Sequence, residues 1–235
     1  MRYAIYFTIA PDQELGRAAT EWLGRDAFTG ERVPLPLVDA LDTSEIAFHT
    51  AAARRYGFHA TLKAPFRLSP STTEAELIEA LHTFAGREDP FTMPALRIAR
   101  LSRFFALVPS APSPELDAFA CNVVMNFDRF RAPLTEEELA RRHPEQLSVA
   151  QLRNLYRWGY PHVLDCFRFH MTLTGPVQDH EAEAVGNALQ EWFDPLLGRP
   201  VQIDSLSLFV ESEPGAPFLV REHVRMGAAS QRMSA

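Results

Sequence analysis

One short pattern occurs twice in this chain. Residues Gly57-Phe58-His59-Ala60-Thr61-Leu62-Lys63-Ala64-Pro65 and Arg168-Phe169-His170-Met171-Thr172-Leu173-Thr174-Gly175-Pro176 agree at five of nine positions, at an offset of 111. Self-similarity at a fixed distance is the mark of a duplicated structural unit. Both copies alternate with period two, which predicts strand. On the first, Gly57, His59, Thr61 and Lys63 share one face, and Phe58, Ala60 and Leu62 share the other. On the second, Arg168, His170, Thr172 and Thr174 lie opposite Phe169, Met171 and Leu173. Each strand can therefore bury an apolar face while presenting a His and a Thr together. Pro65 and Pro176 then end ladder donation.

The flanks repeat as well. Thr73 precedes Glu74–Phe84, a capped amphipathic stretch with acids in its first turn, and a second helix is expected from about His180 to Trp192. Strand-like segments follow both: 95–98 and 103–108 in the first half, 201–203 and 205–210 in the second. A last strand, Phe218 to Met226, is expected to pair across the Pro- and Gly-containing turn at 213–217. The expected class is α+β: two pseudo-symmetric lobes with antiparallel sheets facing a central cleft. Lobe 1 covers about 1–110 and lobe 2 about 160–228, followed by a frayed tail at 229–235. Two helical regions, 11–53 and 114–158, break the symmetry, the second read as an insertion. No Gly- or Ser-rich linker divides the chain, so a single bilobal domain over 1–235 is expected.

Composition narrows the function classes. The formal net charge of −7 argues against broad nucleic-acid coating, which needs clustered cations. A local basic cleft for a small anion is compatible with it. Cys121 and Cys166 supply neither a disulfide framework nor a metal knuckle. No apolar run approaches the roughly 18 residues of a membrane span. The opening ten residues alternate like a strand rather than like a signal peptide, which points to the cytoplasm. Lys63 is the only lysine, against twenty-two arginines.

The chemistry rests on the pairing. A lone strand histidine is usually structural, but two, each with a hydroxyl two residues on, can converge on one cleft. Two imidazoles supply a general base and a general acid near neutral pH. Two threonine hydroxyls can hold the non-bridging oxygens of a phosphorus centre. That set fits phosphodiester cleavage by in-line displacement, with neither metal nor cofactor expected. Zinc would need three or four His, Cys or carboxylate ligands. Neither motif strand carries an acid or a cysteine on its His face, and Cys166 is the nearest third candidate. No nucleophile-elbow pattern and no Gly-rich phosphate loop is present.

The segments Phe58-His59-Ala60-Thr61-Leu62 and Phe169-His170-Met171-Thr172-Leu173 resemble the paired His-x-Thr-hydrophobic motifs of the 2H phosphoesterase superfamily. The longer context from Arg55 to Pro65 is similar to a bacterial branch often associated with phosphonate (C–P lyase) operons. The resemblance implies a two-lobed fold with the active site between the lobes. It implies His59 and His170 as catalytic histidines and Thr61 and Thr172 as phosphate-binding hydroxyls. The implied substrates are 2′,3′-cyclic or ribose 1,2-cyclic phosphates, or short RNA ends.

Face and register add secondary candidates: Lys63 and its symmetry mate Thr174, Arg168 beside His170, and Tyr56 before the first strand. Tyr160 and Trp158 are candidates to stack on a base or sugar. Arg141, Arg142, Arg153 and Arg157 read as a mostly solvated face, from which one or two can close over an anion. The alternative from another class is a non-catalytic module that binds a nucleotide or phosphosugar. Oligomeric state is not legible.

Overall fold

Each copy of the motif sits in the same five-element unit, strand–strand–helix–strand–strand. The first unit runs β1 (Arg2–Phe7), an insertion carrying α1 (Glu14–Leu23) and α2 (Thr43–Arg54), then β2 (Ala60–Phe66), α3 (Glu74–Ala85), β3 (Phe91–Met93) and β4 (Leu96–Leu101). The second runs β5 (Phe104–Pro109), an insertion carrying α4 (Pro114–Phe127), α5 (Glu136–Ala140) and α6 (Val149–Trp158), then β6 (Met171–Thr172), α7 (Ala182–Phe193), β7 (Val201–Ile203) and β8 (Ser205–Glu211). A final strand, β9 (Leu219–Arg225), pairs antiparallel with β8 across the anticipated turn. This computed structural model describes residues 1–227; the tail expected to fray, 229–235, lies outside the described residues. The segments 11–53 and 114–158 thus occupy one topological place, the connection between the first and second strands of each unit.

The class is α+β with an antiparallel sheet. Seven strands join in the order β4-β5-β6-β2-β1-β8-β9, and every neighbouring pair is antiparallel. The seam is the β2–β6 contact, where Ala60 opposes Met171. Outward from that seam, each motif strand meets the first strand of its own unit and then the last strand of the other unit. The two units have exchanged their final strands, so the halves of the sheet are not the halves of the chain. A separate two-stranded ribbon pairs β3 with β7, again one strand from each unit.

The apolar faces of the motif strands lie where the alternation puts them. Phe58, Ala60, Leu62, Phe169, Met171 and Leu173 are all buried in the main core. Over them pack Leu77 and Leu81 of α3 and Val185, Leu189 and Phe193 of α7. Thr73 caps α3 reciprocally with Glu76, as the sequence predicts. β1 departs from simple alternation: Tyr3 through Phe7 are buried on both faces. The second face is covered by a smaller cluster in which Ala4 and Tyr6 meet Ala27, Phe209 and Phe218. The second motif strand is shorter than its pattern suggests, with only Met171 and Thr172 in the ladder. Beyond it, Leu173 and Thr174 both donate to the Phe105 carbonyl. The Leu173 carbonyl accepts a 3.0 Å bond from the Trp22 indole. No helix among the described residues is long and apolar enough to cross a membrane.

Candidate functional site

The seam register builds the site. Extending the Ala60–Met171 pair by one residue in each direction sets His59 against Thr172 and Thr61 against His170. Directly opposed residues have Cβ atoms about 5 Å apart. All four polar side chains therefore leave one sheet face as a compact square, related by the pseudo-two-fold that passes through the seam. Convergence comes from strand pairing itself.

Both imidazoles are held in the same way. His59 Nδ1 donates to the Gly57 carbonyl at 2.9 Å, and His170 Nδ1 donates to the Arg168 carbonyl at 2.8 Å. A carbonyl only accepts, so Nδ1 carries the proton in each neutral ring and Nε2 keeps its lone pair. His59 Nε2 lies 3.4 Å from Thr61 Oγ1. Gly57 is needed for this geometry: its φ is +78°, and a Cβ there would stand 2.6 Å from the Ala27 methyl. The half-buried His59 ring stacks on Tyr6, with ring centroids 3.9 Å apart. Lost hydration lowers the His59 pKa to about 4; the Gly57 carbonyl opposes this and the charge of His170 adds to it. Burial pushes the Tyr6 phenol well above its usual value, so it stays a neutral donor.

A cavity of about 440 Å³ opens over three corners of this square, lined by His59, Thr61 and Thr172 and by Tyr6, with Tyr56, Tyr160, Arg2, Arg141 and Arg142 around it; His170 stands outside its lining. That volume falls within the range of small-molecule sites. Arg2 is held by the buried Glu211, which also pairs with Arg55. Glu138, another lining residue, is gripped by Arg67 through both carboxylate oxygens at 3.1 and 3.0 Å. The Arg67 bonds, aided by the Thr135 cap and opposed by burial, hold its carboxyl down to about 2.

The secondary candidates divide. Tyr56 lines the cavity. Thr174 also borders it, but its hydroxyl accepts from the Phe105 N–H at 2.9 Å and donates to the Gly175 carbonyl at 2.8 Å, so it is committed to the backbone. Arg168 contributes its carbonyl to His170, while its exposed side chain lies outside the cavity lining. Lys63 is not on the His59 face. Thr61 pairs with Tyr6 but Lys63 pairs with Ile5, so Leu62 is an extra residue and the alternation is reset after Thr61. Lys63 is consequently buried, with Nζ 2.9 Å from Asp128 Oδ1, and Asp128 is also held by Arg131. Burial lowers the Lys63 pKa and Asp128 opposes that shift. Lys63→Met is therefore expected to destabilise the fold by about 2 kcal/mol in urea unfolding, since Arg131 remains to neutralise Asp128. Turnover per folded molecule should stay within about threefold, where loss of a phosphate contact would cost tenfold or more.

Sequence reasoning misses Arg2 and Tyr6, because nothing in β1 alone says that its even-numbered residues join the face of His59. It also groups four arginines that the structure separates. Arg153 pairs with Asp165 at 2.7 Å and Arg157 stacks on Trp158, whereas Arg141 and Arg142 line the cavity. Tyr160 lines it too, while Trp158 does not.

Comparison with known proteins adds the following. Residues 61–219 match the family described as protein of unknown function (DUF1045). A relative from Janthinobacterium sp. (strain Marseille), named ribose 1,5-bisphosphate phosphokinase PhnN, is 36% identical over 237 residues, covering 99% of this chain and 52% of that protein. A protein of the same name from Laribacter hongkongensis (strain HLHK9) is 35% identical over 219 residues, covering 93% and 50%. The chain spans about half the length of these curated relatives. Among solved structures, TT0787 of Thermus thermophilus aligns over 97% of this chain and 98% of that one, at 16% identity and a TM-score of 0.46. A structure described as a phosphoesterase aligns over 96% and 97%, at 13% identity and a TM-score of 0.41. With the match running from the first motif strand to the start of the last strand, the chain belongs to the DUF1045 family.

Proposed function

We propose that this protein is a metal-independent phosphoesterase that opens a cyclic phosphodiester on ribose by two-histidine acid–base catalysis. The observation that carries the reading is the repeated Nδ1–H to carbonyl bond, which leaves Nε2 unprotonated on each of two neutral imidazoles that share one sheet face across the seam, His59 lining the cavity. His59 is the base, because burial keeps it neutral across the physiological range. Its Nε2 takes a proton from water, and the resulting hydroxide equivalent forms the new P–O bond. The P–O bond to the departing ribose oxygen breaks in line, and His170 gives that oxygen its proton. Thr61 and Thr172 hold the non-bridging oxygens as charge builds on them. The products are a phosphate monoester and a free sugar hydroxyl, with both histidines reset by one proton transfer between them through solvent.

The relatives' name concerns a ribose that bears a phosphate at C1. Opening a ribose 1,2-cyclic phosphate with the 2-oxygen as the departing group yields such a monoester, which favours this substrate over 2′,3′-cyclic ends and is in keeping with a role in phosphonate metabolism. Phosphorus NMR with chelator present tests the reading: ring opening of the 1,2-cyclic phosphate is expected, and saturable binding without turnover would replace it with a binding module.

The His59 pKa gives a second expected result. Below pH 6.5 the unfolded chain takes up a proton on His59 that the folded chain refuses until about pH 4. Stability therefore falls as pH drops through that window, by about 1–2 kcal/mol between pH 7 and pH 5 from this group. Urea unfolding of His59→Gln should show that much less acid sensitivity than wild type.

A further inference from the structure

We propose that Arg141 and Arg142, with Tyr160, form a second anion subsite that reads a second phosphoryl group on the same sugar; this rests on the ring-opening reading above. Charge accounting within the cavity points to it. Of the ionised groups that line it, Arg2 is neutralised by Glu211 and Glu138 by Arg67. Among the described residues, neither Arg141 nor Arg142 has a carboxylate within ion-pairing distance. Two arginines without a carboxylate partner, the exposed Arg141 and the half-buried Arg142, thus border a concave site in a chain whose net charge is −7. Such an isolated positive focus is what a polyanionic ligand meets on entry.

The hydroxyls point the same way. Tyr6 is 1% exposed and lines the cavity, yet its hydroxyl has no hydrogen-bond partner among the described residues, and the same holds for Tyr56 and Tyr160. Three hydroxyls that border one cavity without a partner in the protein are donors open to an oxygen-rich ligand. The Arg142 guanidinium lies over the ring of Tyr160, another lining residue, with its carbon 5.0 Å from the centroid, a contact that holds it beside the cavity. The His–Thr square can hold one phosphorus centre. Arg141 and Arg142 lie on the α5 side of the cavity, supplied by the insertion and not by either motif strand. A single cyclic phosphate carries one negative charge and does not use them. A dianionic monoester elsewhere on the ribose, at its primary hydroxyl, would.

The test compares ribose 1,2-cyclic phosphate with its 5-phosphorylated counterpart. Wild type is expected to prefer the phosphorylated substrate by roughly 10²-fold in kcat/KM. The double variant Arg141→Ala/Arg142→Ala should lower kcat/KM on that substrate roughly 10²-fold more than on the 5-hydroxyl compound. Arg141→Lys/Arg142→Lys should recover part of the preference, since charge survives without the bidentate fork. A wild-type preference below threefold, or equal losses on both substrates in a variant with unchanged circular dichroism, overturns the subsite. If neither compound is turned over, the ring-opening reading fails and binding decides: ribose 5-phosphate titrated calorimetrically. Binding that the double variant loses and His59→Gln keeps supports the subsite; undiminished binding in the double variant, or none to wild type, refutes it.

Discussion

His59→Ala and His170→Ala are each expected to lower kcat on a ribose cyclic phosphate by about 10³-fold while leaving the melting temperature almost unchanged. Acid–base groups contribute about 10²–10⁴-fold each, and the two act on one displacement, so the double variant should be little worse than either single one. The fold survives because both rings stand on the sheet face away from the main core. The core is packed by Phe58, Ala60 and Leu62 and by Phe169, Met171 and Leu173 on the opposite face. Among the described residues, each ring's one direct hydrogen bond to the backbone is to the carbonyl two residues earlier. Single-turnover assays on the purified variants check this. Retention of more than a tenth of wild-type activity in either one would rule out the paired mechanism.

Trp22→Ala is expected to be the most damaging single change to stability, at about 4 kcal/mol in urea unfolding. Trp22 is fully buried on α1, meets Phe193 of α7 edge-on at 5.9 Å, and bonds the Leu173 carbonyl. Truncation removes the largest buried side chain and leaves that carbonyl without its donor. The consequence reaches the site, because Leu173 directly follows a motif strand of only two ladder residues. Turnover at temperatures where the variant is still folded should therefore fall too, through misplaced His170 and Thr172. Trp22→Phe separates the two effects: it keeps most of the packing, loses the indole bond, and should cost about 1–2 kcal/mol.

The local chemistry of this protein is legible in its sequence. Period-two alternation assigns Phe58, Leu62, Phe169 and Leu173 to the core and His59, Thr61, His170 and Thr172 to the opposite face, because a strand's side chains alternate whatever it pairs with. Thr73 and Ser148 cap their helices through contacts three residues away, which sequence distance alone decides. Lys63 escapes its pattern because a bulge is a property of two strands together: alternation holds along one strand only until its partner forces an extra residue. Tyr6, Arg2, Arg141 and Arg142 reach the cavity from segments with no motif of their own, and Arg153 and Arg157 have the same composition but different partners. The sequence by itself determined that two His-x-Thr faces exist, since covalent spacing and backbone geometry suffice for that. Only the tertiary structure decided that they stand side by side across one seam, with exchanged strands behind them and two unpaired arginines beside them, because strand order and ion pairing are long-range choices made when the whole chain packs.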